Sequence, residues 1–263
     1  MSYCVFTAMT GSSLDALRDS LKPLAPLTPE SPRQDALKAY CFTNLEAYKA
    51  PAGWTTILVD TSKIKDCDVA ENQKNRMLAR SIKLRPDWYI PSYTSFAYTM
   101  WVDGNVEFLQ SPLVFFQEVV PKGTRARRDP FFASFTHHER TSMSQELAAI
   151  VQMRPDEIRH LGRLQAKCRE VKFRDDMGLM ETCVVIRSVN RHMQRFNDTW
   201  WQLLVMSGLR DQITLPVALH IHRETLAATP LVYRWRASEA ADMHVMDWPK
   251  APWVHRLAHT SKV

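Results

Sequence analysis

Short runs of β-branched and aromatic residues alternate along this chain with longer stretches of helical periodicity, and that alternation restricts the fold more than any other feature. Residues 3–8, 39–43, 55–59, 96–102, 131–135 and 182–189 carry strand composition. Between them, 67–84 has helical periodicity with Asp66 or Asp68 near its start, and 155–171 aligns Leu161, Leu164, Cys168 and Val171 on one stripe. Residues 191–207 place Phe196, Trp200 and Leu203 on one face and stop at Gly208. The spacing predicts an α/β domain with a mainly parallel, mixed sheet flanked by helices. Ligands of such sheets bind beyond the carboxyl ends of the strands.

Composition removes several alternatives. The 263 residues are 45% hydrophobic and 24% charged, which excludes a disordered, collagen-like or coiled-coil chain. The net charge of +6 permits a polyanionic partner without requiring one. No internal repeat or flexible linker divides the chain, so one domain over 1–263 is expected, and prolines 23, 26, 29 and 32 mark a surface loop after the first strand. The first residues carry no basic segment ahead of an apolar one, and no apolar run approaches the roughly 20 residues of a membrane span. The expectation is a cytoplasmic protein without a transmembrane segment. Its five cysteines, an odd set without CxxC spacing, are expected to be free thiols.

The most informative segment is Tyr98-Thr-Met-Trp-Val-Asp-Gly-Asn-Val106. An apolar strand runs directly into Asp103, Gly104 and Asn105, putting a carboxylate and an amide oxygen two residues apart at a strand's carboxyl end. Such oxygens suit a hard cation, Mg²⁺ or Mn²⁺, that also holds a diphosphate. Asp-Gly-Asn is equally ordinary turn chemistry.

A series of segments in order along the chain resembles a glycosyltransferase-like family, domain of unknown function 616. Trp101-Val-Asp-Gly-Asn105 is similar to the family's Trp-Ile-Asp-Gly-Asn. Phe6-Thr-Ala-Met-Thr-Gly11 and Ala39-Tyr-Cys-Phe-Thr-Asn44 resemble its first two strands. His138-Glu-Arg140 followed by Glu146, Gly178-Leu-Met-Glu-Thr182, and Arg210-Asp-Gln212 continue the series. The chain departs from the family at Lys83-Leu-Arg-Pro-Asp87, where the family has a final histidine, and at His138, where it has proline. The resemblance implies a GT-A-like fold that transfers a sugar from a nucleotide donor, UDP- or GDP-linked, using Mn²⁺ or Mg²⁺. It divides the chain into a nucleotide-sugar half (1–110) and an acceptor half with a C-terminal tail (111–263).

On that reading Asp103 is the leading metal ligand and Asn105 a second. His259 near the chain's end is the candidate third, with His220-Ile-His222, expected on a strand, as a competing pair. Thr7, Ala8 and Asn44 at the ends of the first two strands fall to the donor. Arg76, Arg80 and Lys83 form one helical stripe that either holds the diphosphate or is a solvated basic face. Asp211 is the first choice of base for the acceptor hydroxyl and Glu181 the second, and either could instead orient sugar hydroxyls or, for Asp211, pair with Arg210. His138, Glu139, Arg140, Arg210 and Gln212 are assigned to sugar or acceptor contacts. A zinc site at His137-His138 lacks further ligands at suitable spacing. Trp200 and Trp201 are expected in the core.

Two further basic groups, Arg159/Arg163/Lys167 and Lys122/Arg125/Arg127/Arg128, are either solubilising or contact an anionic acceptor. The acceptor expected first is a glycan or glycolipid; a hydroxymethylated base in DNA is second, since a basic surface tracks phosphates. A glycosyltransferase-like binding module without catalysis is the competing class.

Overall fold

The structure is a computed structural model that describes residues 1–17, 21–24, 37–137, 139–153, 160–208, 210–226, 228–231, 234–237, 243–248 and 251–257. Its main sheet contains β1 (Tyr3–Met9), β2 (Leu37–Thr43), β3 (Thr55–Leu58), β4 (Tyr98–Val102), β6 (Phe132–Thr136), β7 (Met180–Ser188) and β8 (Ala228–Leu231) in the order β3-β2-β1-β4-β7-β6-β8. β3, β2, β1 and β4 run parallel, β7 is antiparallel to both β4 and β6, and β8 is parallel to β6. The expected mixed, mainly parallel α/β sheet is therefore present.

Alternation along the central strands splits the core into two layers. Cys4 and Phe6 of β1 and Trp101 of β4 face α1 (Lys74–Leu84) and α5 (Arg191–Ser207), where Leu78, Ile82, Phe196 and Trp200 pack. Val5 of β1 and Tyr98, Met100 and Val102 of β4 face the opposite side, closed by Phe115 and Phe116 of α2 (Pro112–Val119). Trp200 is fully buried, with Phe132 and Phe196 rings at 6.1 and 5.8 Å, and Trp201 meets Trp88 edge-on, so both tryptophans belong to the core as expected.

Helix ends follow local chemistry. α5 starts where the Asn190 side chain accepts from the Met193 amide at 2.9 Å and stops where Gly208 adopts φ +61°. α1 begins at Lys74, after two 3₁₀ turns, rather than at residue 67, so neither Asp66 nor Asp68 caps it. The stripe expected over 155–171 forms α4 (Leu161–Glu170); 154–159, including Arg159, lie outside the described residues. α3 (Met143–Met153) completes the helices of the central region.

Two elements differ from expectation. Residues 211–222 form α6 (Asp211–His222) and not a strand, so His220 and His222 do not share a face. His220 Nε2 lies 3.1 Å from the Val171 carbonyl, and His222 Nε2 lies 2.8 Å from Thr199 Oγ1. Every residue from Asp211 to His220 is buried, and a helix covered on all sides has no amphipathic period to read. The second difference is an antiparallel sheet of β5 (Val106–Phe108), β11 (Ala251–Leu257), β10 (Met243–Trp248) and β9 (Arg234–Ala237), which builds the C-terminal region onto the strand that follows Asp103. Among the described residues, no helix is long and apolar enough to cross a membrane.

Candidate functional site

The site forms where β4 ends. All five residues of β4 are buried, so the chain emerges at Asp103 as the first partly exposed position, and Gly104 and Asn105 turn it into β5. The Asp103 amide donates to the Cys183 carbonyl at 2.8 Å, tying this end of β4 to β7. Trp101, two residues back, donates its indole Nε1–H to Asp103 Oδ1 at 2.7 Å, which fixes the carboxylate.

β7 is shaped to meet it. Against β6, Ser134 registers with Val185 but the next residue, Phe135, registers with Glu181. Thr182, Cys183 and Val184 are therefore extra residues in β7, and this bulge sits beside the cleft, where such irregularities re-aim side chains. The Ser134 hydroxyl lies against the Glu181 carbonyl and at 2.8 Å from the Val184 carbonyl, closing the bulge from within. Glu181, Thr182 and Cys183 consequently line the cleft although all three are nearly buried.

α1 and the start of α6 supply the remaining walls. Arg76, Arg80 and Lys83 recur at helical spacing on the α1 face turned to the cleft, and Arg210, Asp211 and Gln212 open α6 on the far side. Lys83 is central: its Nζ lies 2.5 Å from Asp211 Oδ2 and 3.6 Å from Asp103 Oδ1, and 5.5 Å from the Trp101 ring centroid. Its backbone is held by Arg187 of β7, fully buried, which donates from Nη2 to the Lys83 carbonyl at 2.5 Å and from Nη1 to Asn197 at 2.9 Å. A guanidinium at that point also complements the carbonyl end of α1.

Asp211 is enclosed by donors. Thr182 Oγ1–H reaches its Oδ2 at 2.8 Å, and Arg80 Nε stands 4.0 Å from its Oδ1. Burial by itself would raise this carboxyl's pKa; the Lys83 and Arg80 charges, with hydrogen bonds from Lys83 and Thr182, outweigh burial and hold it well below the usual carboxylate range. Trp200 Nε1–H donates to the Asp211 carbonyl at 3.0 Å, anchoring the backbone of the same residue.

The resulting cleft has a volume of about 180 Å³ and is walled by four cations, Arg76, Arg80, Lys83 and Arg210, and three carboxylates, Asp103, Glu181 and Asp211. That is smaller than the roughly 300–1,000 Å³ of pockets that enclose a drug-sized ligand. An anion that enters meets guanidinium and ammonium groups and the amino end of a twelve-residue helix together.

Eight of the residues singled out from the sequence thus converge on one cleft: Arg76, Arg80, Lys83, Asp103, Glu181, Arg210, Asp211 and Gln212. Others do not line it. Thr7 is fully buried in β1 and Ala8 follows it; Asn44 instead ties the turn after β1 to the start of α1, donating to the Gly11 carbonyl at 2.9 Å and to Asn75 Oδ1 at 3.2 Å. Asn105 is 2% exposed and outside the lining, where the sequence reading had it as a metal ligand beside Asp103. Glu139 and Arg140 lie beyond the cleft wall. His138 and His259 fall outside the described residues. Lys122, Arg125, Arg127 and Arg128 are exposed together on the loop after α2.

Trp101, Thr182 and Cys183 were not anticipated as cleft residues. Trp101 carried a readable sign, an indole donor two positions before Asp103 on an alternating strand. Thr182 and Cys183 carried none, because a bulge that three residues of one strand make against another leaves no trace in either strand's own pattern.

Among the described residues, no group of three or more His, Cys, Asp or Glu side chains is placed to hold a metal ion. Among the described residues that line the cleft, Asp103 has the most exposed carboxylate, and one carboxylate supplemented by phosphate oxygens and water is a usual donor set for Mg²⁺. The site therefore fits a divalent cation that arrives with a phosphate-bearing ligand.

No protein-family model and no curated protein matches the chain. Among solved structures it is similar to the apo form of mouse xyloside xylosyltransferase 1, with a TM-score of 0.45 and 9% identity over 87% of this chain and 85% of that one. It is also similar to the galactosyltransferase LgtC in complex with donor and acceptor sugar analogues, with a TM-score of 0.42 and 8% identity over 87% of this chain and 73% of that one. An active-site mutant of LgtC gives a TM-score of 0.42 and 8% identity over 87% and 72%. These are partial likenesses of chain trace, and the roles assigned below rest on this chain's own geometry.

Proposed function

We propose that this chain is a GT-A-type glycosyltransferase that moves a sugar from a UDP- or GDP-sugar to a hydroxyl of a glycan or glycolipid. The observation that carries the reading is the cleft itself. Four cations surround Asp103 beyond the end of a strand in a mainly parallel sheet, where α/β folds bind phosphorylated ligands.

In the reaction the bond between the sugar's anomeric carbon and the diphosphate breaks, the acceptor oxygen bonds to that carbon, and the acceptor's proton leaves. Negative charge grows on the diphosphate as it departs, and Arg76 and Arg80 are the cations that offset it, while Arg210 binds the diphosphate equally before and during that step. Asp103 would hold a Mn²⁺ or Mg²⁺ shared with the diphosphate, which supplies Lewis-acid stabilisation of the leaving group when bound. Lys83 keeps Asp103 and Asp211 from repelling one another and adds its charge to the same end of the cleft.

The proton falls to Glu181. Asp211 was the first candidate for base, but a carboxylate whose pKa lies well below the usual range, with Lys83 and Thr182 on one oxygen, has little affinity for a proton. It serves as the anchor of Lys83 and Arg80. Glu181, on the wall formed by the β7 bulge, is the remaining carboxylate besides Asp103.

Thermal melting tests the reading. A UDP- or GDP-sugar with Mn²⁺, at about 100 times its Kd, stabilises by about 2.7 kcal/mol, or roughly 5–10 °C for a chain of this size. Asp103→Ala should lose that shift. If no nucleoside diphosphate or nucleotide sugar changes the melting temperature, with or without metal, the proposal fails. A shift without sugar transfer to any acceptor would favour a binding module, and salt-sensitive retention on DNA would move the acceptor to nucleic acid.

A further inference from the structure

Behind the cleft wall, α3 carries a carboxylate that the reaction does not use. Glu146 is 1% exposed. Its Oε2 lies 2.5 Å from Arg140 Nε and 3.7 Å from His137 Nε2, and its Oε1 lies 3.6 Å from Arg210 Nη1. Taking a carboxylate out of water is unfavourable by several kcal/mol unless cations and donors meet it closely. Here two guanidinium groups from different parts of the chain converge on it: Arg140 from the turn after β6, and Arg210 from the residue that opens α6.

The turn is built to make that approach. His137 Nδ1 accepts from the Glu139 and Arg140 amides, both at 3.1 Å, and Arg140 Nη2 lies 2.9 Å from His137 Nε2. Arg140 also places Nη1 3.1 Å from Glu139 Oε2. One face of Glu146 is thereby taken up by Arg140, and its other oxygen is turned to Arg210. Arg210 itself is 36% exposed at its side chain and lines the cleft. An arginine that exposed keeps several rotamers unless an anion fixes its guanidinium, and the Glu146 carboxylate stands within ion-pair distance of it.

We infer that Glu146 is a positioning residue: it holds Arg210 in the orientation that receives a phosphoryl oxygen of the donor, while Arg140 balances the second half of its charge. The inference deepens the donor-site reading proposed above and rests on it. It predicts that loss of the Glu146 charge acts on ligand binding through Arg210 and not on the chemical step.

The experiment is calorimetric titration of UDP with Mn²⁺ into the wild type, Glu146→Gln, Arg210→Gln and the double variant, with KM and kcat measured alongside. Each single change should weaken UDP about tenfold, the scale of one charge-assisted hydrogen bond, and the double change no further. KM for the donor should rise while kcat holds, and Glu146→Asp should recover part of the loss. The inference is overturned if Glu146→Gln binds UDP as the wild type does while Arg210→Gln does not, or if the two losses multiply to about a hundredfold. Should Glu146→Gln fail to fold, Glu146→Asp, which keeps the charge but draws it back by one methylene, should weaken UDP less than Arg210→Gln does and add nothing to it in the double variant; losses that multiply in that double variant overturn the inference. If the wild type binds no UDP or GDP, the donor reading fails, and titration of inorganic pyrophosphate across the same variants still decides whether Glu146 acts through Arg210; no binding of pyrophosphate overturns both.

Discussion

Replacing Lys83 by methionine gives the sharpest test of how the cleft is held together. Lys83 and Asp211 have side chains only 5% and 12% exposed and lie 2.5 Å apart, so solvent screens their interaction little. Methionine keeps most of the stem's volume while deleting the charge, which isolates the electrostatic loss from a cavity. Asp211 is then a buried carboxylate with the Thr182 hydroxyl at 2.8 Å and Arg80 at 4.0 Å. Breaking a buried pair from one side destabilises by about 3–5 kcal/mol, and the remaining Arg80 places this case near the lower figure. At roughly 2–4 °C per kcal/mol, the melting temperature should fall by about 6–12 °C. The assay is a thermal melt at neutral pH of wild type, Lys83→Met, Asp211→Asn and the double variant. In the double variant the buried Asp211 carboxylate is gone, the Thr182 hydrogen bond can persist, and Arg80 and Asp103 keep 15% and 29% of their side chains exposed, so it should regain more than half of what Lys83→Met loses. The reasoning is refuted if Lys83→Met melts within about 2 °C of wild type, or if the double variant melts no higher than that single one.

Glu181→Gln should lower kcat by about 10²–10⁴-fold, the usual contribution of a general base, while leaving the melting shift caused by nucleotide sugar intact; equal loss of the shift would make Glu181 a binding residue instead. Asp211 also sets an acid dependence. Because its pKa is lowered by folding, its contribution to stability is present above the unfolded value of about 3.9 and is lost as pH falls from there toward the folded value. Wild type should therefore lose melting temperature more steeply than Asp211→Asn below about pH 4, and parallel curves would show that the carboxylate is not held as described.

The parts of this molecule that were legible in its sequence are those whose reason is local. β1 and β4 were readable as short runs of β-branched and aromatic residues, the composition of strands buried on both faces, and α5 because one buried face imposes a period of 3.6, with Asn190 and Gly208 marking its ends by their own backbone chemistry. The α1 stripe of Arg76, Arg80 and Lys83 was readable for the same reason, and it does face the cleft. α6 failed where burial on every side erased the period, and its early β-branched residues imitated a strand. The start of α1 failed because two 3₁₀ turns precede it.

The sequence by itself determined the alternation of elements, the placing of Asp103 at a strand end, and the list of charged residues from which any site had to be drawn. The tertiary structure decided which of those charges meet. Lys83 and Asp211 are separated by nearly half of the chain, and their contact exists because α1 and α6 pack on the same side of the sheet near the end of β4. That contact in turn changes what Asp211 can do. A residue type and its neighbours in sequence do not fix a pKa, since burial and opposite charge act through space, and so the proposal of Asp211 as anchor and Glu181 as base rests on the tertiary contacts that put Lys83, Arg80 and Thr182 around one carboxylate.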